Sequence, residues 1–195
     1  MGIDDLNKFR IILGSRSPRR QELLRELGLK FEVVIKDWEE DYPEDLSGPE
    51  IALYVAERKA LSFLPEIGKN EIVITADTIV WCDGEVLSKP ADKEDALRII
   101  RKISGRTHEV ITGVCLLSSD KMVSFQSCTR VTFSDLSDEE IVHYISRYKP
   151  YDKAGAYGIQ EWIGIAACSS IEGSYFNVVG LPVEQVYREL KKFVS

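Results

Sequence analysis

The chain has 195 residues, 44% of them hydrophobic, and sets 25 Lys and Arg against 32 Asp and Glu for a formal net charge of −7. That is apolar material enough for a substantial core in one domain or two small lobes, and the acidic balance excludes a global positive field that would draw the protein to nucleic acid or an anionic membrane. The first apolar run, Ile11 to Leu13, leads through Ser15-Arg16-Ser17-Pro18-Arg19-Arg20 into a helix over 18–27 closed by Gly28, and a strand over 31–35 follows. This is an opening β-α-β pattern, which favours an α/β protein over a helical bundle. After an acidic, turn-rich stretch (37–48), Pro49 opens a helix to about Leu64, and 71–76 reads as a central strand whose C-terminal end delivers Asp77 and Thr78. Asp83-Gly84 reads as a two-residue hairpin turn, with Lys89-Pro90 leaving the hairpin.

An amphipathic helix over 92–103 presents Ala96, Leu97, Ile100 and Ile103, with Gly105 beyond its end. Two long strands, 108–117 and 122–133, pair antiparallel around a turn at 118–121. Ser137 caps a helix to about Tyr148, and a turn-rich aromatic segment (149–162) leads to short strands and a final helix over 182–194. A soft boundary near Lys89-Pro90 divides two lobes around a cleft. Cys82, Cys115, Cys128 and Cys168 have no Cys-x-x-Cys spacing and read as small buried hydrophobes in a reducing compartment. With no apolar leader and no membrane-length run, a cytoplasmic protein is expected.

The 15–20 segment is the first chemical signal. Ser17 suits the N-cap and Pro18 the first helical position, which puts Arg19 and Arg20 at the positive end of the helix dipole, at roughly 0.3–1 kcal/mol each. A phosphate would give that placement a purpose, since free N–H groups, the hydroxyls of Ser15 and Ser17 and guanidinium forks together form an anion cradle; the plain alternative is an exposed basic turn. Asp77, at the ligand-binding edge of the sheet, either holds a divalent metal or water, or caps the next turn. Lys59 falls within the apolar line Ala52, Val55, Ala56, Ala60 and Phe63, so it either snorkels to solvent or reaches a phosphate over the sheet edge. Lys89 and Lys153 are loop lysines, each alone no more than a solvated charge. In 152–160, small residues permit close backbone approach, and Gln160 offers a donor and an acceptor side by side, which suits either a nucleobase edge or backbone groups. Glu39-Glu40-Asp41 is a possible second metal-binding acid or a solvated loop, and His108 and His143 read as structural. No P-loop, G-x-G-x-x-G, G-x-S-x-G or H-E-x-x-H motif occurs, which leaves metal-dependent chemistry on a polyphosphate as the best fit.

Read together, Ile12-Leu13-Gly14-Ser15-Arg16-Ser17-Pro18-Arg19-Arg20, Glu57-Arg58-Lys59-Ala60, Thr75-Ala76-Asp77-Thr78-Ile79-Val80, Leu87-Ser88-Lys89-Pro90, the 104–113 stretch, Asp152-Lys153-Ala154-Gly155-Ala156-Tyr157-Gly158-Ile159-Gln160 and the 173–182 stretch resemble, in order, the Maf family of nucleoside triphosphate pyrophosphatases, once described as septum-formation inhibitors. The resemblance implies one domain over 1–195 with an α/β fold like that of the inosine triphosphate pyrophosphatases, a mixed sheet with two lobes around a central cleft. It also implies divalent-metal-dependent (Mg²⁺ or Mn²⁺) cleavage between the α and β phosphates, and a homodimer. On this resemblance Asp77 activates water and binds metal, Glu40 is a metal or water partner, and Ser15, Arg20, Lys59, Lys89 and Lys153 cradle the triphosphate. Arg19, Thr78 and Gln160 mark the branch preferring dTTP and UTP over 7-methyl-GTP. Two positions depart from the family pattern: Asp37-Trp38-Glu39-Glu40 stands in place of Val-Asp-Glu, and Glu161 stands where glycine is common, which would alter the base pocket. The alternative function is a nucleotide-binding regulator of cell division without significant turnover.

Overall fold

Among the described residues, seven strands, β1 (Arg10–Leu13), β2 (Phe31–Val33), β3 (Glu71–Cys82), β4 (Glu85–Leu87), β5 (Thr107–Leu117), β6 (Met122–Phe133) and β7 (Cys168–Glu172), form one mixed sheet in the computed structural model. The structure describes residues 2–36, 42–43 and 46–195. The order is β2-β1-β3-β5-β6-β7, with β4 hydrogen-bonded to β3. β1 pairs parallel with β2 and β3, and the remaining pairs are antiparallel.

The length of β3 decides where a ligand can sit. Expected to end at Ala76, it runs on to Cys82, because β5 supplies partners from Val73 to Trp81. β1 stops at Leu13, opposite Ile74, and β4 takes up the same edge of β3 only from Val80, so a gap in strand pairing lies between them. Asp77 and Thr78 therefore lie in mid-strand beside that gap, not at a strand end. Since successive side chains of a strand point to opposite faces, the two residues serve different layers of the molecule.

One face of the sheet carries α3 (Gly48–Leu61). Its Ala52, Ala56 and Ala60 are fully buried and belong to apolar clusters with Val73, Ile79, Ile111 and Cys115. Approach is close: a Cβ at Gly113 of β5 would lie 2.2 Å from the Ala52 carbonyl oxygen. The larger core contains Ile72, Ile74, Ala76 and Val80 of β3 together with side chains of α2 (Pro18–Glu26), α4 (Lys93–Ile103), α5 (Asp138–Tyr148) and α8 (Val183–Phe193). Burying each Leu or Ile there is worth about 1.5–3 kcal/mol. Ser17 and Ser137 cap α2 and α5 as expected, and Asp92, expected as the first helical residue, instead caps α4, each accepting from the N–H three residues on. Asp83 and Gly84 both adopt positive φ, which closes the β3–β4 hairpin.

Other expectations need correction. α3 ends at Leu61, and β2 ends at Val33. The segment after 162, expected as short strands, holds a single strand between two short helices, α6 (Trp162–Ala167) and α7 (Tyr175–Val179), too short to show helical periodicity. A further short helix, α1 (Ile3–Leu6), precedes β1. Cys82 and Cys115 are buried as expected, but Cys128 is exposed and Cys168 half-buried, being on or beside the sheet's outer strands; all four are free thiols. Among the described residues no helix is long and apolar enough to cross a membrane.

Candidate active site

A cleft of about 620 Å³ opens in the gap beyond β1. Its wall includes Ser15, Arg19, Arg20, Lys59, Asp77, Thr78, Lys89, Lys153 and Gln160, so every sequence-derived candidate within the described residues meets at one place. Glu40, with Glu39 beside it, lies outside the described residues.

Strand alternation organises the cleft. Asp77 faces the α3 layer, where Lys59 Nζ donates to its Oδ1 at 2.6 Å. The lysine embedded in an apolar helix face thus reaches an acid over the sheet edge. The neighbouring Thr75 hydroxyl donates to the Ala56 carbonyl at 2.6 Å, tying β3 to α3 one turn from Lys59. Thr78 faces the other layer, with its Oγ1 2.9 Å from the Thr112 hydroxyl and receiving Arg20 Nη2 at 2.9 Å.

Arg20 is more of a fastener than the sequence suggests. Its Nε donates to the Gly180 carbonyl at 2.8 Å, and Nη1 donates to Ser15 Oγ at 3.2 Å and the Ala76 carbonyl at 2.7 Å. Burial lowers its pKa from the ordinary value, and the Asp77 charge opposes that effect. Ser15 Oγ also accepts the Ser17 N–H at 3.3 Å, shaping the turn ahead of α2. The N-terminal turn of α2 contains no acidic side chain, so anion-favouring groups face the cleft without an internal competitor at the helix start.

The opposite wall is an ion-pair chain. Arg19 Nη1 donates to Asp152 Oδ2 at 3.1 Å, and Lys153 Nζ lies 2.7 Å from Asp152 Oδ1 and 3.1 Å from Glu161 Oε1. Burial works against the Asp152 carboxylate, but hydrogen bonds from Lys153 and Arg19 outweigh it and hold its pKa below the usual range. Lys153 is buried, unlike the solvated loop lysine its sequence context suggests. Lys89 and Gln160 are exposed side chains on the cleft wall. Sequence reasoning missed Lys36, which lines the mouth and pairs with Glu66 at 2.5 Å, and the Gly180 turn that receives Arg20. Lys36 follows the end of a parallel strand, a position that could have flagged it.

His108 and His143 stay outside the cleft. His108 is buried, with Nε2 2.8 Å from the Tyr157 hydroxyl. No group of three or more His, Cys, Asp or Glu is assembled among the described residues. Asp77 offers a hard oxygen donor beside Lys59, and that fits an ion such as Mg²⁺ or Mn²⁺, which takes one or two carboxylates and completes its shell with water and substrate phosphates.

Residues 10–193 match the family model described as Maf-like protein. A protein of Phocaeicola vulgatus named dTTP/UTP pyrophosphatase is 54% identical over 191 residues, covering 97% of this chain and 99% of that one. A protein of Flavobacterium johnsoniae with the same name is 51% identical over 191 residues, covering 98% of each chain. Among solved structures, one titled nucleoside-triphosphatase / dITP/XTP pyrophosphatase from Mycobacterium abscessus aligns with a TM-score of 0.47 at 13% identity, over 95% of this chain and 96% of that one.

Proposed function

The chain belongs to the Maf-like family, and on that premise we propose that it hydrolyses dTTP and UTP between the α and β phosphates, releasing the nucleoside monophosphate and pyrophosphate, with residues 1–195 acting as one nucleotide pyrophosphatase domain. The observation that carries the reading is the Asp77–Lys59 pair, 2.6 Å apart, in a cleft whose wall also carries Arg19, Arg20, Lys89, Lys153 and Gln160.

Lys59 fixes one oxygen of Asp77, which leaves the carboxylate oriented to take a proton from an attacking water. A triphosphate brings about four negative charges. Lys59, Lys89, Lys153 and Arg19 offset these charges and stabilise those that develop on the pyrophosphate leaving group. Ser15 and the N–H groups at the start of α2 supply neutral donors to the same oxygens. Arg20 holds Ser15, Thr78 and the Gly180 turn at fixed separations, so its contribution is geometry as much as charge. Gln160 presents an N–H and a C=O together, the complement of a pyrimidine edge that carries a C=O beside an N–H. Asp77 would hold Mg²⁺ or Mn²⁺, with Glu40 as a second acid. The ion when bound supplies a water of lowered pKa and further charge compensation.

The test is pyrophosphate release over a panel of nucleoside triphosphates with Mg²⁺ or Mn²⁺, run beside Asp77→Asn. Wild type should favour dTTP and UTP. Asp77→Asn should lose at least about a thousandfold in kcat, since it removes both the proton acceptor and a charge at the reacting centre, while nucleotide affinity stays largely intact. Near-wild-type turnover in the variant would remove Asp77 from the chemistry, and binding without release from any nucleotide would instead support the regulator.

A further inference from the structure

Glu161 stands behind the cleft wall, not in it. Gly158, Ile159 and Gln160 line the cleft, but the Glu161 side chain turns back beneath them. One of its oxygens receives the Tyr144 hydroxyl, and the other pairs with Lys153 Nζ at 3.1 Å. Tyr144, fully buried on α5, also accepts the Gly158 N–H at 3.0 Å. The fit is tight: a Cβ on Gly158 would lie 2.8 Å from Glu161 Cδ.

We propose that Glu161 and Tyr144 are a positioning pair that holds the Lys153 ammonium and the Gly158–Gln160 turn in fixed relation, linking the phosphate grip to the base-facing amide. A lysine ammonium has three N–H donors. One of them goes to Asp152, and the ion pair with Glu161 holds the ammonium from a second side, which restrains the flexible stem and leaves a donor for a phosphate oxygen. Tyr144 ties the same carboxylate to the backbone two residues before Gln160. A displacement of Glu161 thus disturbs the lysine and the amide-bearing turn at once, although it touches no substrate. The proposal rests on the nucleotide reading above for its ligand.

The test is a double-mutant cycle read as the Kd of α,β-imido-UTP with Mg²⁺, which needs no turnover. Glu161→Ala should weaken binding about tenfold in the wild-type background and less than about twofold in Lys153→Ala, because it acts through that lysine. Glu161→Gln keeps a single oxygen acceptor, enough for the Lys153 ammonium while its NH₂ group turns to the Tyr144 hydroxyl oxygen, and should recover part of the loss. With UTP as substrate, KM should rise in parallel with Kd while kcat changes less. Should the alanine variant fail to fold, Tyr144→Phe, which removes only the hydroxyl, takes its place in the cycle. Unchanged affinity, full additivity with Lys153→Ala, or a glutamine variant as weak as alanine would overturn the proposal. A wild type that binds the analogue but releases no pyrophosphate sinks the pyrophosphatase reading and leaves this cycle intact; a wild type that binds no nucleotide overturns both.

Discussion

Four N–H groups of the Arg20 guanidinium end on oxygens of Ser15, Ala76, Thr78 and Gly180, so this side chain ties three segments together before any substrate arrives. A lysine cannot reproduce that: its single ammonium sits at one point, whereas the planar fork spans separated acceptors. Arg20→Lys should therefore cost about 2–4 kcal/mol, because buried carbonyls at Ala76 and Gly180 lose charged partners, and equilibrium urea unfolding measures it. An unfolding midpoint equal to wild type would mean that the arginine serves substrate alone. The residue types here were legible before the fold was known, since two arginines at a helix start are misplaced unless an anion or a buried acceptor claims them. Which acceptor claims them was not legible, because Gly180 lies 160 positions away in sequence. Lys59 teaches the same point: its presence in an apolar line announced a hidden partner, and only the strand register identified Asp77.

At the scale of elements, periodicity carried most of the fold, and its failures have physical causes. The apolar run of β3 ends at Ala76, where Asp77 and Thr78 interrupt it, yet β5 pairs with the strand from Val73 to Trp81 and pairing outweighs composition. α6 and α7 have six and five residues, too few for a periodic signal. The β5–β6 pair, read correctly, encloses a titratable group whose behaviour follows from packing. His108 stands edge-on to Phe133 at 5.2 Å and to Tyr157 at 5.4 Å, and burial drives its pKa down to about 4 from 6.5. Above pH 6.5 both folded and unfolded chains hold it neutral, so it contributes nothing to pH dependence. Between pH 6.5 and 4 the unfolded chain takes up a proton that the folded one refuses, and stability falls by roughly 3 kcal/mol over that window. His108→Gln should lose correspondingly less between pH 7 and pH 4.5 in urea titrations. Parallel losses in the two proteins would show that other groups carry the acid sensitivity.

The whole molecule converges on the cleft. Its wall draws on residues from Gly14 to Gly180, including the turn before α2, the inner side of α3, mid-β3, the exit of the β3–β4 hairpin and the 152–160 loop. No short segment of the unfolded chain reproduces that arrangement, so a nucleotide binds the folded state alone and stabilises all of it by mass action. At a hundredfold excess over Kd this is worth about 2.7 kcal/mol, and at about 2–4 °C per kcal/mol for a chain of this size it should raise Tm by roughly 5–10 °C. α,β-Imido-UTP with Mg²⁺ is the suitable probe, because it is not consumed during the scan. EDTA should remove more than half of the shift, since without a divalent ion the triphosphate meets the Asp77 carboxylate with its own charge uncompensated. Asp77→Asn should retain most of the shift with Mg²⁺ present, because the phosphates themselves supply most of the ion's protein-independent ligands. A shift that survives EDTA undiminished would mean that the lysines and arginines alone balance the nucleotide, and the divalent ion would then belong to the chemical step and not to binding.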